Sequence, residues 1–78
     1  MKQITVEDCV NLEEQFDAYC ETAEQREFPM LFMVEQRLKL TVQHIQSVGK
    51  VENQHDIRAM FRVVLNMIGK DFSEYVEE

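Results

Sequence analysis

The residues in this chain best suited to hold a metal ion are two cysteines and two histidines: Cys9, Cys20, His44 and His55. Structural zinc sites draw their ligands from close pairs, typically C-x2–4-C or H-x3–5-H. Here the two cysteines are eleven positions apart, and so are the two histidines. The spacing does not fit a zinc site, and the sequence predicts no metal or other cofactor.

Both cysteines fall on the same predicted helix, which places them about 16 Å apart along its axis. A disulfide requires Cα atoms within roughly 7 Å of each other, so Cys9 and Cys20 cannot bridge within one straight helix. We expect two reduced thiols, as in a cytoplasmic protein. A disulfide between two copies of the chain is the alternative.

The segment Glu52-Asn53-Gln54-His55 matches the E-x-x-H motif of diiron bundles. Those sites combine two such motifs with glutamates from other helices, all directed into the core. Here the motif occurs once, at the predicted start of a helix. We interpret it as a chance match, and a metal-binding bundle that uses Glu52 and His55 remains an alternative.

Nucleophilic catalysis has few candidates in this sequence. The serines are Ser47 and Ser73, and neither lies in a Gly-x-Ser-x-Gly turn. Two glycines are too few for a loop that cradles phosphate. Neighbouring acids such as Glu13 and Glu14 fall on a predicted solvated face. The sequence therefore assigns no catalytic residue, and we expect a protein that is not an enzyme.

Acidic residues dominate the charge, with 15 Asp and Glu against 8 Lys and Arg and a net charge of −7. Four of them recur every three or four positions along the first predicted helix, as Glu14, Asp17, Glu21 and Glu24. Such an acidic stripe could imitate a nucleic-acid backbone and occupy a basic cleft on a target protein. The alternative is a solvated surface that keeps the protein soluble.

Basic residues recur on the third predicted helix, at Arg58, Arg62 and Lys70. A row of this kind could contact phosphate groups. In a chain of net charge −7, contact with an acidic protein surface is favoured over direct binding to nucleic acid.

Apolar residues also lie off the predicted core face of the second helix and widen the apolar arc of the third helix beyond one stripe. They are Phe32, Met33, Leu40, Met60, Val63 and Met67. A helix that is apolar over much of its girth is buried on more than one side. A second copy of the chain would supply the additional cover, so these residues are the predicted dimer or partner interface. The alternative is a broad core face with scattered exposed apolar residues.

Three amphipathic helices are predicted to position these residues, over about 6–25, 29–48 and 53–76 of a single 78-residue domain. Thr5 and Asn53 are suited to be N-caps, Pro29 to a first turn and Gly49 to a helix end. The period of apolar residues continues past Gly69, which predicts a continued helix or a slight kink there. Short links favour antiparallel neighbours. We expect an all-α, up-down-up three-helix bundle that is completed by dimerisation.

The core of this bundle is predicted from the residues at i, i+3, i+4 and i+7 spacing. They are Cys9, Leu12, Phe16, Tyr19, Cys20, Ala23, Leu31, Val34, Leu38, Val42, Ile45, Val48, Ile57, Met60, Phe61, Val64, Leu65 and Ile68.

No segment of the sequence has the roughly 20 apolar residues that span a bilayer, and the N-terminus lacks the apolar run of a signal peptide. A cytoplasmic protein is therefore expected.

The leading hypothesis is a non-enzymatic protein–protein interaction module. A specific version is a small acidic inhibitor of the anti-defence type that phages or mobile elements carry. Such an inhibitor would block a basic nucleic-acid-binding site on its target. The alternatives are a DNA-binding transcriptional regulator that uses the basic face of the third helix and a purely structural helical dimer.

Overall fold

Three α-helices make up the fold in the computed structural model, which describes residues 3–22 and 28–71. They are α1 (Val6–Glu21), α2 (Phe28–Val48) and α3 (Gln54–Met67). The described residues contain no strand. The all-α prediction is confirmed, and the packing of the helices is consistent with a three-helix bundle.

α1 begins with a capping box. The Thr5 hydroxyl accepts a hydrogen bond from the Asp8 amide at 3.1 Å, and the Asp8 carboxylate accepts one from the Thr5 amide at 2.9 Å. Two amides that the helix would otherwise leave without partners are thereby satisfied. Glu7 and Asp8 also place negative charge in the first turn, where the helix dipole favours it.

The predicted end of α1 near residue 25 is wrong, because the helix ends at Glu21. The amide and the hydroxyl of Thr22 both donate to the Tyr19 carbonyl oxygen, at 3.1 and 2.9 Å. A threonine hydroxyl that bonds the backbone in this way competes with the helical hydrogen-bond ladder. Residues 23–27, including Ala23 and Glu24, lie outside the described residues.

α2 begins one residue before Pro29, which therefore occupies the first turn, where a missing amide hydrogen costs nothing. Its C-terminal end follows the prediction. Gly49 has φ +89° and donates its amide to the Ile45 carbonyl oxygen at 2.8 Å.

α3 is capped as predicted by Asn53, whose side-chain oxygen accepts a hydrogen bond from the backbone amide of Asp56 at 3.1 Å. The prediction that α3 continues through Gly69 is wrong, because the helix ends at Met67. Gly69 takes φ +72°, and the amide of Lys70 bonds back to the Leu65 carbonyl oxygen at 2.9 Å, which closes a Schellman motif. A positive φ is available to glycine at little cost, so the chain turns there. Residues 72–78 lie outside the described residues.

Among the described residues, eleven are buried in the core, and all of them are hydrophobic: Ile4, Cys9, Leu12, Phe16, Leu31, Leu38, Val42, Ile45, Phe61, Val64 and Leu65. Ten of these were predicted, and Ile4 was not. Val48 was predicted to lie in the core, but this residue at the end of α2 is 41% exposed.

Ile4 is held in place by the side-chain amide of Gln54, at the start of α3. The Ile4 amide donates to Gln54 Oε1 at 2.9 Å, and Gln54 Nε2 donates to the Ile4 carbonyl oxygen at 2.8 Å. One side-chain amide thus satisfies both backbone groups of a buried residue, and it fastens the segment before α1 to α3.

The helices pack unequally. α1 lies against both α2 and α3, whereas the backbones of α2 and α3 approach each other least. The molecule measures 34 × 30 × 16 Å, which is a slab about two helix layers thick. Within residues 3–22 and 28–71, no helix is both long and apolar enough to cross a membrane.

Candidate interaction surface

A groove of about 510 Å³ separates α2 from α3. Its lining residues are Val34, Arg37, Leu38, Asp56, Ala59, Met60, Val63 and Val64. α1 contributes no side chain to the lining, so the groove opens on the side of α2 and α3 away from α1. The walls are apolar, and two charged side chains stand at the rim.

The two charged side chains at the rim, Asp56 and Arg37, differ in their hydrogen bonds and ion pairs. The side-chain amide of Asn53 donates a hydrogen bond to the Asp56 carboxylate at 2.8 Å, so Asp56 is partly committed to capping α3. Arg37 is exposed, and within the described residues its guanidinium makes no ion pair or hydrogen bond. The groove therefore presents, beside its apolar walls, a cation that has no counter-ion in the described part of the chain.

A second apolar surface runs along the outer face of α2, and we call it the α2 seam. It consists of Met30, Met33, Arg37, Leu40, His44 and Val48, all of them exposed. Met33 and Leu40 are 71% and 66% exposed, which is far more than a core residue. The seam and the groove share Arg37.

The six predicted interface residues are distributed over these surfaces. Met33 and Leu40 lie on the α2 seam, while Met60 and Val63 line the groove. Met67 is partly buried against the core, on the same face of α3 as Met60. Phe32 is 62% exposed but lies about 100° around α2 from Met33, so it is on neither surface.

The predicted acidic stripe is divided by the structure. Glu14 and Glu21 are exposed, whereas Asp17 is partly buried and shares a hydrogen bond with Glu35 of α2. Glu24 lies outside the described residues. The exposed acids of α1 instead fall on a line through Glu7, Glu14 and Glu21, about 10.5 Å apart along the axis.

Asp17 and Glu35 form a carboxyl pair across the α1–α2 interface. A hydrogen bond between two carboxyl groups needs a proton between them, and this bond, followed by desolvation, raises the pKa of Glu35. Lys39 opposes the rise. Asp17 Oδ1 is buried and has no hydrogen-bond partner among the described residues.

Sequence reasoning missed this carboxyl pair. The available signal was the position of Glu35, four residues after Leu31 and three before Leu38, at the edge of the core face of α2. Nothing in the sequence indicated that Asp17 would be its partner.

The three predicted basic residues do not form one row. Arg58 is partly buried and donates to Gln54 Oε1 at 3.2 Å, so it supports the group that holds Ile4. Arg62 is exposed on α3. Lys70 lies beyond the end of α3, where it lines a polar pocket of about 230 Å³ with Asp8, Asn11, Gln15 and Asp71 among others.

Both cysteines are free thiols. Burial, followed by the nearby Asp8 carboxylate, raises the pKa of the Cys9 thiol to about 11. Burial and then Glu35 raise the pKa of Cys20. Both shifts favour the protonated thiol, which is a poor nucleophile. Among the residues described, no three His, Cys, Asp or Glu side chains are grouped to hold a metal ion.

The chain matches no protein-family model, no curated protein and no solved structure. Function is therefore inferred from the groove, the α2 seam and the exposed acids of α1.

Proposed function

We propose that this protein is a non-enzymatic protein–protein interaction module that binds an α-helical segment of another protein in the groove between α2 and α3. The observation that supports it best is the groove itself, about 510 Å³ in volume, with apolar walls from two helices. Amphipathic helices commonly bind in such grooves by their apolar face. Met60 adds an adaptable side chain to one wall, which suits a contact surface.

The charges at the rim favour one kind of ligand helix. Apolar side chains at i, i+3 and i+7 would face Val34, Met60 and Val63. An aspartate or glutamate beside them would pair with the Arg37 guanidinium, which has no partner among the described residues. The proposed ligand is thus an amphipathic helix that carries an acid at the edge of its apolar face.

A charge placed in the groove tests this proposal. Val63 is 55% exposed, so Val63→Glu should leave the fold intact, as circular dichroism would verify. Gln43→Glu adds the same charge to an exposed position of α2 outside the groove and is the matched control.

The readout is affinity purification from the native host, followed by titration of the recovered protein's helical segment. We expect wild type and Gln43→Glu to retain a partner that Val63→Glu loses, with a Kd at least tenfold weaker for Val63→Glu. Equal binding by all three proteins would exclude the groove as the binding site.

A second candidate function is the acidic inhibitor, which would contact a basic nucleic-acid-binding site through α1. The exposed line of Glu7, Glu14 and Glu21 and the net charge of −7 favour it. These acids are about 10.5 Å apart along the helix, whereas duplex DNA carries a charge every ~1.7 Å of its axis. The line therefore suits separate lysines and arginines on a target better than close imitation of a phosphate backbone.

Charge reversal tests this second candidate. Glu14→Lys combined with Glu21→Lys should release a basic target, and the affinity of wild type should fall with added salt. Asp17 is left unchanged because its substitution would disturb the carboxyl pair with Glu35. Binding that survives the double reversal would eliminate α1 as the contact surface.

A further inference from the structure

We propose that the α2 seam binds the α2 seam of a second copy of this chain, with the two helices antiparallel. This goes beyond the proposed function, because the seam and the groove share only Arg37 and are tested by different variants.

The spacing of the seam is that of a helix–helix contact. From Met30 to His44 its residues alternate at intervals of three and four, which is the a/d pattern of a coiled coil, and Val48 follows about one turn later. The stretch is about 27 Å long at 1.5 Å per residue. The core face of α2, roughly 120° around the helix from the seam, is already occupied, since Leu38, Val42 and Ile45 are buried in the core. α2 thus has two apolar faces, and the described residues cover one of them.

Charge favours a second copy at this face. The chain carries a net charge of −7, so two copies repel each other over most of their surface. The only acid within α2 is Glu35, and it is turned towards Asp17 of α1. Arg37 and His44 are the only ionisable residues of the seam. Two acidic molecules therefore meet here without bringing carboxylates together.

The position of the polar residues selects the direction of packing. In a parallel pair, equivalent positions face each other, which would place Arg37 against Arg37 and His44 against His44. In an antiparallel pair centred between residues 38 and 39, Arg37 faces Leu40 of the other copy and His44 faces its Met33. The aliphatic stem of Arg37 can lie on the leucine while its charged end reaches water. This register also uses nearly the full length of the seam.

The area of contact sets the expected strength. A strip about 27 Å long and one helix diameter wide covers roughly 300 Å², against about 800 Å² per partner in a stable complex. We therefore expect a reversible dimer whose population rises with concentration.

Sedimentation equilibrium tests the dimer on the full chain at several concentrations up to about 1 mM, a range chosen for weak interfaces. Wild type should approach the mass of two chains. Leu40→Glu and Met33→Glu should each remain near 9.3 kDa with unchanged helicity. Ala18→Glu, which adds the same charge to an exposed position of α1, should dimerise like wild type. A wild type that stays monomeric, or a Leu40→Glu variant that still dimerises, overturns the proposal.

Disulfide trapping tests the direction. When Met33→Cys and His44→Cys proteins are mixed and oxidised, antiparallel packing links position 33 of one copy to position 44 of the other. Each variant alone should give little of its own disulfide dimer, because equivalent positions are about 16 Å apart along the axis. Peptide mapping distinguishes these links from any at Cys9 or Cys20. Efficient linking of the Met33→Cys protein to itself would overturn the antiparallel arrangement.

Loss of the dimer leaves the groove proposal intact, since Val63→Glu and the recovered partner test that proposal separately. Loss of partner binding with a normal dimer rejects the groove alone.

Discussion

At the scale of single residues, the carboxyl pair of Asp17 and Glu35 predicts an unusual pH dependence. The raised pKa of Glu35 means that the folded state binds this proton more tightly than the unfolded chain does. The resulting stabilisation is fully present below the ordinary pKa of 4.5 and is lost as pH rises through the raised folded value. This trend is opposite to that of a carboxylate in a salt bridge.

Glu35→Gln should remove this pH dependence. Glutamine can donate to the Asp17 carboxylate at every pH and does not face Cys20 or Asp17 with a second negative charge. We expect it to raise the free energy of unfolding by about 0.5–1 kcal/mol at pH 7, on the scale of a hydrogen bond, and to change little at pH 4. Urea unfolding from pH 4 to 8 measures this, with Glu14→Gln on the exposed face as control. Parallel pH profiles for wild type and Glu35→Gln would contradict the prediction.

Gln54 is the second residue with a testable effect on stability, because its side chain holds the backbone of Ile4. Gln54→Ala removes both hydrogen bonds to the backbone of Ile4, which is 2% exposed. Backbone groups that are buried without partners cost stability, so we expect a loss of about 1–2 kcal/mol. Chemical denaturation gives the magnitude, and hydrogen exchange at the Ile4 amide should accelerate. Gln46→Ala, at an exposed site, should stay within about 0.5 kcal/mol of wild type. A Gln54→Ala protein as stable as wild type would show that the contact contributes nothing.

At the scale of the helices, the starts were predictable from the sequence and the ends were less so. Thr5 and Asn53 are N-caps by residue type, and three- and four-residue spacing identified ten of the eleven buried residues. The helical spacing of apolar residues continues past Gly69, so it predicted a longer α3. Spacing alone cannot reveal that Gly69 adopts a positive φ and ends the helix. Thr22 ends α1 by a local hydrogen bond that hydrophobic pattern does not record.

Gly69→Ala decides whether conformation alone ends α3. Apart from the two chain neighbours of Gly69, no atom of the described residues lies within 4 Å of where the new Cβ would stand, so crowding plays no part. The φ of +72° should therefore cost alanine about 1–2 kcal/mol of stability. Gly69→Asn should cost less, because asparagine tolerates this region better. Thermal or urea unfolding compares the two. A more stable Gly69→Ala protein would mean that alanine lets the helix continue, as the hydrophobic period suggested.

At the scale of the whole molecule, the candidate interaction surfaces depend on distances between helices that no single segment encodes. The groove exists because α1 packs against both α2 and α3 while these two stay apart. The sequence predicted surplus apolar residues on α2 and α3, but not their division between groove and seam. It also could not place Asp17 opposite Glu35, since that contact depends on how α1 and α2 are aligned.

The outer face of α2 is exposed on a molecule only 16 Å thick. If the α2 seam joins two copies, the stability of the fold depends on the dimer. Folding is then coupled to association, so stability depends on protein concentration by mass action. Each tenfold increase in concentration stabilises the folded dimer by at most about 1.4 kcal/mol. For a domain of this size, that corresponds to a rise of several degrees in Tm. Thermal unfolding followed from about 10 µM to about 1 mM, a range that suits a weak and reversible dimer, should show the rise for wild type and Ala18→Glu. It should be absent for Leu40→Glu, which keeps the same core, and an equal concentration dependence in all three proteins would place the association elsewhere on the molecule.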